Sequence, residues 1–330
     1  MNYRQIVIIF TVALMVLSPS IVGIFGGQDS VVASADVHTL PRERIRVYLT
    51  ATGECREMDI EEYVSGVMLA EAPSVFDAEA LKAVAVAVRS RAVVSLLREE
   101  PLTRHFSADV CDSHTHCMGY ISLEEAVIRW GSERADVFYK TVEDAVFSTK
   151  GRVLLYGDEV ADAVFHKSSE GATESAENAW GITVPYLVSV KEQCGAAEKS
   201  VRLTADELTQ TLSDAGVVCG SAEEGMLITS VVNSNSGRVS YVEIGGRTVT
   251  GRRLREILGL PSTCFTAEYR EGGYEFTSKG EGHGVGLSLE GANALAIEGA
   301  DCEEILAHYY TRCHVAFFDR VGVNFGSISA

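Results

Sequence analysis

The chain has 330 residues, 46% apolar and 22% charged, proportions that support one large packed domain or two modest ones and exclude extensive disorder. A formal net charge of −18, with only short basic runs such as Arg252, Arg253 and Arg255, excludes a phosphate-tracking surface, and with it nucleic acid as a partner. The same acidity repels anionic headgroups, so any tie to a membrane must be hydrophobic.

Such a tie stands at the start. Residues 6–25 carry no charge, follow Arg4 as the cationic flank, and are long enough to span a bilayer. They predict a single-pass anchor over 1–26 and a polar linker over 27–42, with the rest of the chain on the extracytoplasmic side. A cleaved signal peptide is the competing reading, because Ala33-Ser34-Ala35 offers a small-residue cleavage site. Either way the remainder is exported. Cys55, Cys111, Cys117, Cys194, Cys219, Cys264, Cys302 and Cys313 then form an even set in a disulfide-permissive compartment, with metal ligation competing for some of the sulfurs.

Period-two alternation over 44–49 predicts a first strand. A helix follows, with Asp59 as its cap, Glu62 as the reciprocal partner, and Ile60, Val64, Val67 and Met68 on one face until Pro73 stops it. A second helix from Asp77 is apolar on nearly every side, as expected of a helix between layers. Residues 102–120 read as loop. Helices are predicted over 123–130 and 134–147 with a break at Gly131, then strands over 153–156 and 161–166. From 200 to 260 the texture changes to short helices at 203–212 and 252–258 around strands at 227–232, 238–244 and 247–250. This predicts an α+β architecture of two domains with a cleft. A catalytic domain would run over 43–199 and 261–330, with a small α/β domain inserted over 200–260. Residues 264–276 return the chain to the first domain through a glycine-rich turn, and helices close it over 290–296 and 302–310.

Glu71 lies on the apolar stripe of the first helix, since Val67, Val64 and Ile60 precede it by four, seven and eleven positions. An acid thus occupies a core-facing position, and poor hydration of its charged form is what lets a carboxyl serve as general acid near neutral pH. A core-edge glutamate satisfied by an arginine or by backbone donors is the alternative from pattern alone.

Three ordered blocks of residues carry a resemblance. The first is Tyr63-Val64-Ser65-Gly66-Val67 through Glu71-Ala72-Pro73, with Phe76, Glu79-Ala80-Leu81-Lys82-Ala83 and Val88-Arg89-Ser90-Arg91. The second is Val164-Phe165-His166-Lys167-Ser168-Ser169-Glu170-Gly171-Ala172-Thr173 with Trp180 and Pro185-Tyr186-Leu187. The third is Gly280-Glu281-Gly282-His283-Gly284-Val285-Gly286 with Gly291-Ala292 and His308-Tyr309-Tyr310. Together they resemble the stage II sporulation protein D family. That resemblance implies a lytic transglycosylase that cuts between N-acetylmuramic acid and N-acetylglucosamine and leaves a 1,6-anhydro end, with Glu71 as acid and then base. It implies substrate contacts from Arg89, Tyr186, His283, Tyr309 and Tyr310. Peptidoglycan strands, a membrane-bound amidase/endopeptidase and a polytopic membrane protein of forespore engulfment are the implied partners. Glu170, where a small residue is expected, and Leu289-Glu290, in place of a glutamine-aromatic pair, depart from the family pattern. A non-catalytic glycan-binding scaffold is the alternative they keep open.

His105, Cys111, His116 and Cys117 cluster in the predicted loop as H-x5-C-x4-H-C, a set that suits a closed tetrahedral zinc of two sulfurs and two nitrogens. A Cys111–Cys117 disulfide with idle histidines is the alternative. Some members of the resembled family carry zinc at a loop of this kind, which implies a structural ion beside the glutamate; a catalytic zinc would require one histidine to stay unligated.

Overall fold

The computed structural model describes residues 44–73, 75–98, 108–192, 195–220 and 227–318. The predicted anchor at 6–25 and His105 lie outside them. Among the described residues no helix is long and apolar enough to cross a membrane.

Strand β1 (Arg44–Leu49) pairs antiparallel with β2 (Glu54–Asp59) and parallel with β3 (Val110–Cys111). β2 escapes sequence reading because ECREMD shows no apolar alternation and only Met58 of it is buried. Asp59 caps α1 (Ile60–Glu71) as expected, its side chain accepting from the Glu61 N–H, while Glu62 reaches outward to Arg56 rather than closing a capping box. Helix α2 (Ala78–Leu96) is capped by Asp77 and buried on nearly every side, packing against α1 and against α4 (Ser132–Ser148). Before α4, α3 (Leu123–Trp130) starts with a Ser122–Glu125 capping box and ends at Gly131, whose φ of 81° stops one helix and starts the next.

The opposite side of α2 is covered by β4 (Arg152–Tyr156) and, late in the chain, by α8 (Leu289–Ile297) and α9 (Cys302–Tyr309). β4 is flanked by β5 (Glu159–Val160) and by β14 (Cys313–Phe317), both antiparallel. The predicted strand over 161–166 shrinks to β6 (Phe165–His166), which pairs parallel with β13 (Leu287–Ser288) and is followed by the short helix α5 (Ala176–Trp180). The glycines before β13 serve close backbone approach to this segment. A Cβ on Gly286 would lie 2.0 Å from the Val164 carbonyl oxygen, and one on Gly280 would lie 2.6 Å from that of Ser168.

A second hydrophobic cluster gathers β7 (Glu198–Thr204), α6 (Ala205–Asp214), the β10-β9-β8 sheet (Arg247–Thr250, Val239–Ile244, Ile228–Asn233) and α7 (Gly251–Leu258). The stretch at 264–276 is a hairpin of β11 (Phe265–Arg270) and β12 (Gly273–Lys279), and β12 pairs with β7. Phe265, Tyr274 and Phe276 are buried in this second cluster. The hairpin, assigned from sequence to the returning main domain, therefore packs with the small lobe.

Two buried polar groups bind the lobes together. Glu174 accepts from the Ser175 N–H and Asn178 Nδ2 on one oxygen, and from the hydroxyls of Ser234 and Ser236 on the other, at 2.6–3.0 Å. Arg238, 2% exposed, donates from Nη2 to Ser169 Oγ at 2.8 Å and from Nη1 to Thr263 Oγ1 at 3.3 Å. Ser169 Oγ in turn lies 2.5 Å from His166 Nε2, and the His166 Nδ1 lies 3.2 Å from the Val285 carbonyl oxygen. Taken together these contacts order the protons. Nδ1 carries the hydrogen toward Val285, leaving Nε2 to accept from Ser169.

Candidate active site

Glu71 is the last residue of α1 and is half-buried, at the edge of the core rather than within it. Its Oε1 accepts the Gly119 backbone N–H at 2.7 Å, and no protein donor meets Oε2 among the described residues. The carboxylate is thus anchored by one oxygen and open at the other. α1 can come this close to the 111–121 loop because Gly66 has no side chain. A Cβ there would stand 2.2 Å from the Tyr120 ring and 2.8 Å from the Ile121 carbonyl oxygen. The Ile121 N–H closes the contact by donating to the Gly66 carbonyl at 3.2 Å.

The far side of that loop holds Cys111, His116 and Cys117, whose ligand atoms lie within 4.8 Å of one another. Both sulfurs stand 3.6 Å from His116 Nδ1. Bonds of about 2.3 Å to sulfur and about 2.05 Å to nitrogen at a tetrahedral angle place those atoms about 3.6 Å apart, so the donor set fits zinc. Among the described residues no disulfide joins Cys111 to Cys117. His105, the predicted fourth ligand, lies outside the described residues. Tyr63 feels the charge of both the sulfurs and the carboxylate. Its ring stacks on Tyr120 at 5.8 Å, its buried hydroxyl has no partner among the described residues, and its pKa is raised by burial first, with Cys117, Cys111 and Glu71 adding.

The remaining predicted contacts do not converge on Glu71. Arg89 is 1% exposed, and its guanidinium is used within the core. It donates to both Glu61 oxygens at 2.6–3.0 Å and to the carbonyls of Arg152 and Val146 at 3.1 and 3.3 Å. A glycan cannot reach it. Tyr309 and Tyr310 are likewise fully buried, their hydroxyls donating to Glu192 Oε1 and the Val164 carbonyl, each at 2.9 Å. These three residues are groups of the core; the resemblance implied them as substrate contacts, and a residue's type at a motif position carries no record of its burial.

His283 is half-buried between Trp180 and His166, with ring centroids at 5.3 and 5.8 Å, and its Nδ1 accepts the Val285 N–H at 3.0 Å. Burial lowers its pKa to about 3, with the charges of Arg91, Arg238 and Arg255 adding. His166 is lowered too, by burial first and then by His283 and Arg238. Both rings are therefore neutral at pH 7. Tyr186 is half-buried, tilts against Tyr156 at 5.4 Å, and its hydroxyl accepts the Asp162 N–H at 3.0 Å. Burial pushes its hydroxyl up to about 12.

Beside Tyr186 is a residue that sequence reasoning passed over. Arg91 pairs through Nη1 with Asp162 Oδ1 at 3.0 Å, its side chain 26% exposed, and its charge acts on Tyr63, Cys117, His283 and Tyr310. The signal was available. Two residues along a helix is about 200° of rotation, so of Arg89 and Arg91 only one can face the core ion pair.

Comparison with known proteins gives a family and several relatives. A family model described as stage II sporulation protein matches residues 48–156, which hold α1, the 111–121 loop and the α2–α4 packing. The chain is 33% identical to stage II sporulation protein D of Bacillus subtilis (strain 168) over 83% of its own length and 79% of the relative's. It is 34% identical to the protein of that name from Bacillus amyloliquefaciens, over 81% and 76%. A third relative, the amidase enhancer of B. subtilis, is 27% identical over 75% of this chain but only 39% of its own length.

Proposed function

The chain belongs to the stage II sporulation protein D family, and on that premise we propose that it is a sporulation protein that remodels the cell wall as a lytic transglycosylase, cutting bare glycan strands with Glu71. The observation that carries the proposal is the state of the Glu71 carboxyl. One oxygen is tied to the Gly119 N–H and the other is open at the end of a helix whose residues 63–69 are buried. Protonated, Glu71 donates to the glycosidic oxygen as the bond to the muramyl anomeric carbon breaks. Ionised, it takes the proton of the muramyl C6 hydroxyl as that oxygen closes on the same carbon. The nucleophile belongs to the substrate, so one carboxyl suffices where hydrolases use two.

Zinc would be held by Cys111, His116 and Cys117, with His105 as the fourth ligand. Bound there it supplies structural closure of the loop, since four protein ligands leave no position for water. Tyr186, Arg91 and His283 are the half-buried groups from which substrate contacts are drawn. Residues 6–25 would anchor the protein in the cell membrane with its catalytic part outside. The likeness to a protein named for enhancing an amidase supports an amidase as its working partner, one that removes stem peptides before the strand is cut.

Mass spectrometry of denuded strands incubated with the wild-type chain and with Glu71→Gln tests the reading. Anhydro-ended products from the wild type alone are expected. Water-added reducing ends would make it a hydrolase, and binding without products would make it a scaffold.

A further inference from the structure

We infer that the Gly119 backbone N–H positions Glu71, claiming Oε1 so that the transferable proton resides on Oε2, and that the Cys/His loop holds that N–H in place. The inference rests on Glu71 being the proton donor. Its ground is the geometry around residue 119. The N–H···Oε1 distance is 2.7 Å, as short as charge-assisted hydrogen bonds usually are. A Cβ at 119 would lie 2.7 Å from Oε1 and 3.4 Å from Cδ, so only glycine lets the amide come this near. The backbone angle is not of the left-handed kind, so glycine is needed for room and not for conformation.

The amide's direction is fixed from both ends. Upstream, β3 is paired to β1, the Asp112 carboxylate accepts the Thr50 N–H at 3.0 Å, and the His116 and Cys117 N–H groups both donate to the Ser113 carbonyl. Downstream, the Tyr120 N–H donates to the Asp112 carbonyl at 3.3 Å and the Ile121 N–H to Gly66 in α1. Gly119 sits two residues past Cys117, so a metal on Cys111, His116 and Cys117 stiffens the turn that aims it. Metal ligands and proton donor are then linked by a single backbone hydrogen bond.

The chemistry follows from which oxygen is occupied. An oxygen already accepting an N–H is the poorer site for a proton, so the acid form carries its hydrogen on Oε2. Oε2–H gives that proton to the glycosidic oxygen, which leaves with the electron pair of the C1–O bond. Oε2 then regains one proton from the C6 hydroxyl as the O6–C1 bond forms, and the carboxyl ends as it began. Between the two transfers the negative charge rests on a carboxylate whose other oxygen the Gly119 N–H stabilises, as an oxyanion-hole donor would.

The test uses the full chain labelled with 15N-glycine, the Gly119 resonance being identified by its absence in Gly119→Ala. Titrating zinc chloride into metal-free protein is expected to shift the Gly119 amide proton downfield in the wild type and much less in Glu71→Gln. Gly119→Ala is expected to lose about 100-fold in kcat on denuded strands, as a misplaced acid does, with KM within about two-fold. A Gly119 resonance indifferent to Glu71→Gln, or a Gly119→Ala enzyme of wild-type kcat, would overturn the inference. Should the wild type cut nothing, the transglycosylase reading fails while the amide shift still decides the positioning by itself.

Discussion

Arg89 gives the sharpest separation of a structural role from a substrate role. Its side chain is 2% exposed and that of Glu61 16%, and Glu61 keeps only the Gly151 N–H, at 3.2 Å, once the guanidinium is gone. Replacing Arg89 by Met therefore strands a mostly buried carboxylate and removes one donor from each of the Arg152 and Val146 carbonyls at the junction of α1, α2 and α4. Breaking one side of such a pair costs about 3–5 kcal/mol. With a urea slope near the top of the usual range, about 3 kcal/mol per molar, the unfolding midpoint should fall by about 1–1.7 M. Far-UV circular dichroism in urea measures it. The double variant Glu61→Gln/Arg89→Met removes both charges and should recover about 2 kcal/mol of the loss, because a neutral pair avoids the uncompensated charge. A single variant of wild-type stability that binds glycan more weakly would refute the argument and return Arg89 to the cleft.

Two other outcomes follow from the geometry. His166 and His283 have folded-state pKa values below their ordinary 6.5, His283 at about 3. The unfolded chain therefore binds protons that the folded chain refuses as pH falls below about 6.5, and each histidine removes up to about 1.4 kcal/mol of stability per pH unit until its folded pKa is reached. Denaturation curves between pH 7 and 4.5 should show His283→Gln with the shallower acid loss. At the sulfur cluster, Cys117→Ser should lose stoichiometric zinc by elemental analysis and melt at lower temperature, while Glu71→Gln keeps its zinc.

The pattern along the chain determined a good deal of this protein. Helices α1, α2, α3 and α4 are legible because caps at Asp59, Asp77 and Ser122, the stop at Pro73 and the break at Gly131 act within a few residues of the bonds they make. The Cys111, His116 and Cys117 grouping is local for the same reason. What the chain could not declare are contacts closed over long separations. The β7–β12 pairing joins segments about seventy to eighty residues apart and carries the 265–279 hairpin into the small lobe's core. Arg89 and Arg91, two positions apart, differ because one face of α2 meets Glu61 and another meets Asp162. Glu71 stands out as an acid on an apolar stripe and takes its expected role from the family resemblance, but its anchoring by the Gly119 N–H is a backbone contact across 48 positions. Side-chain type and spacing carry no record of which main-chain donors the fold will bring to a carboxylate; only tertiary packing sets that.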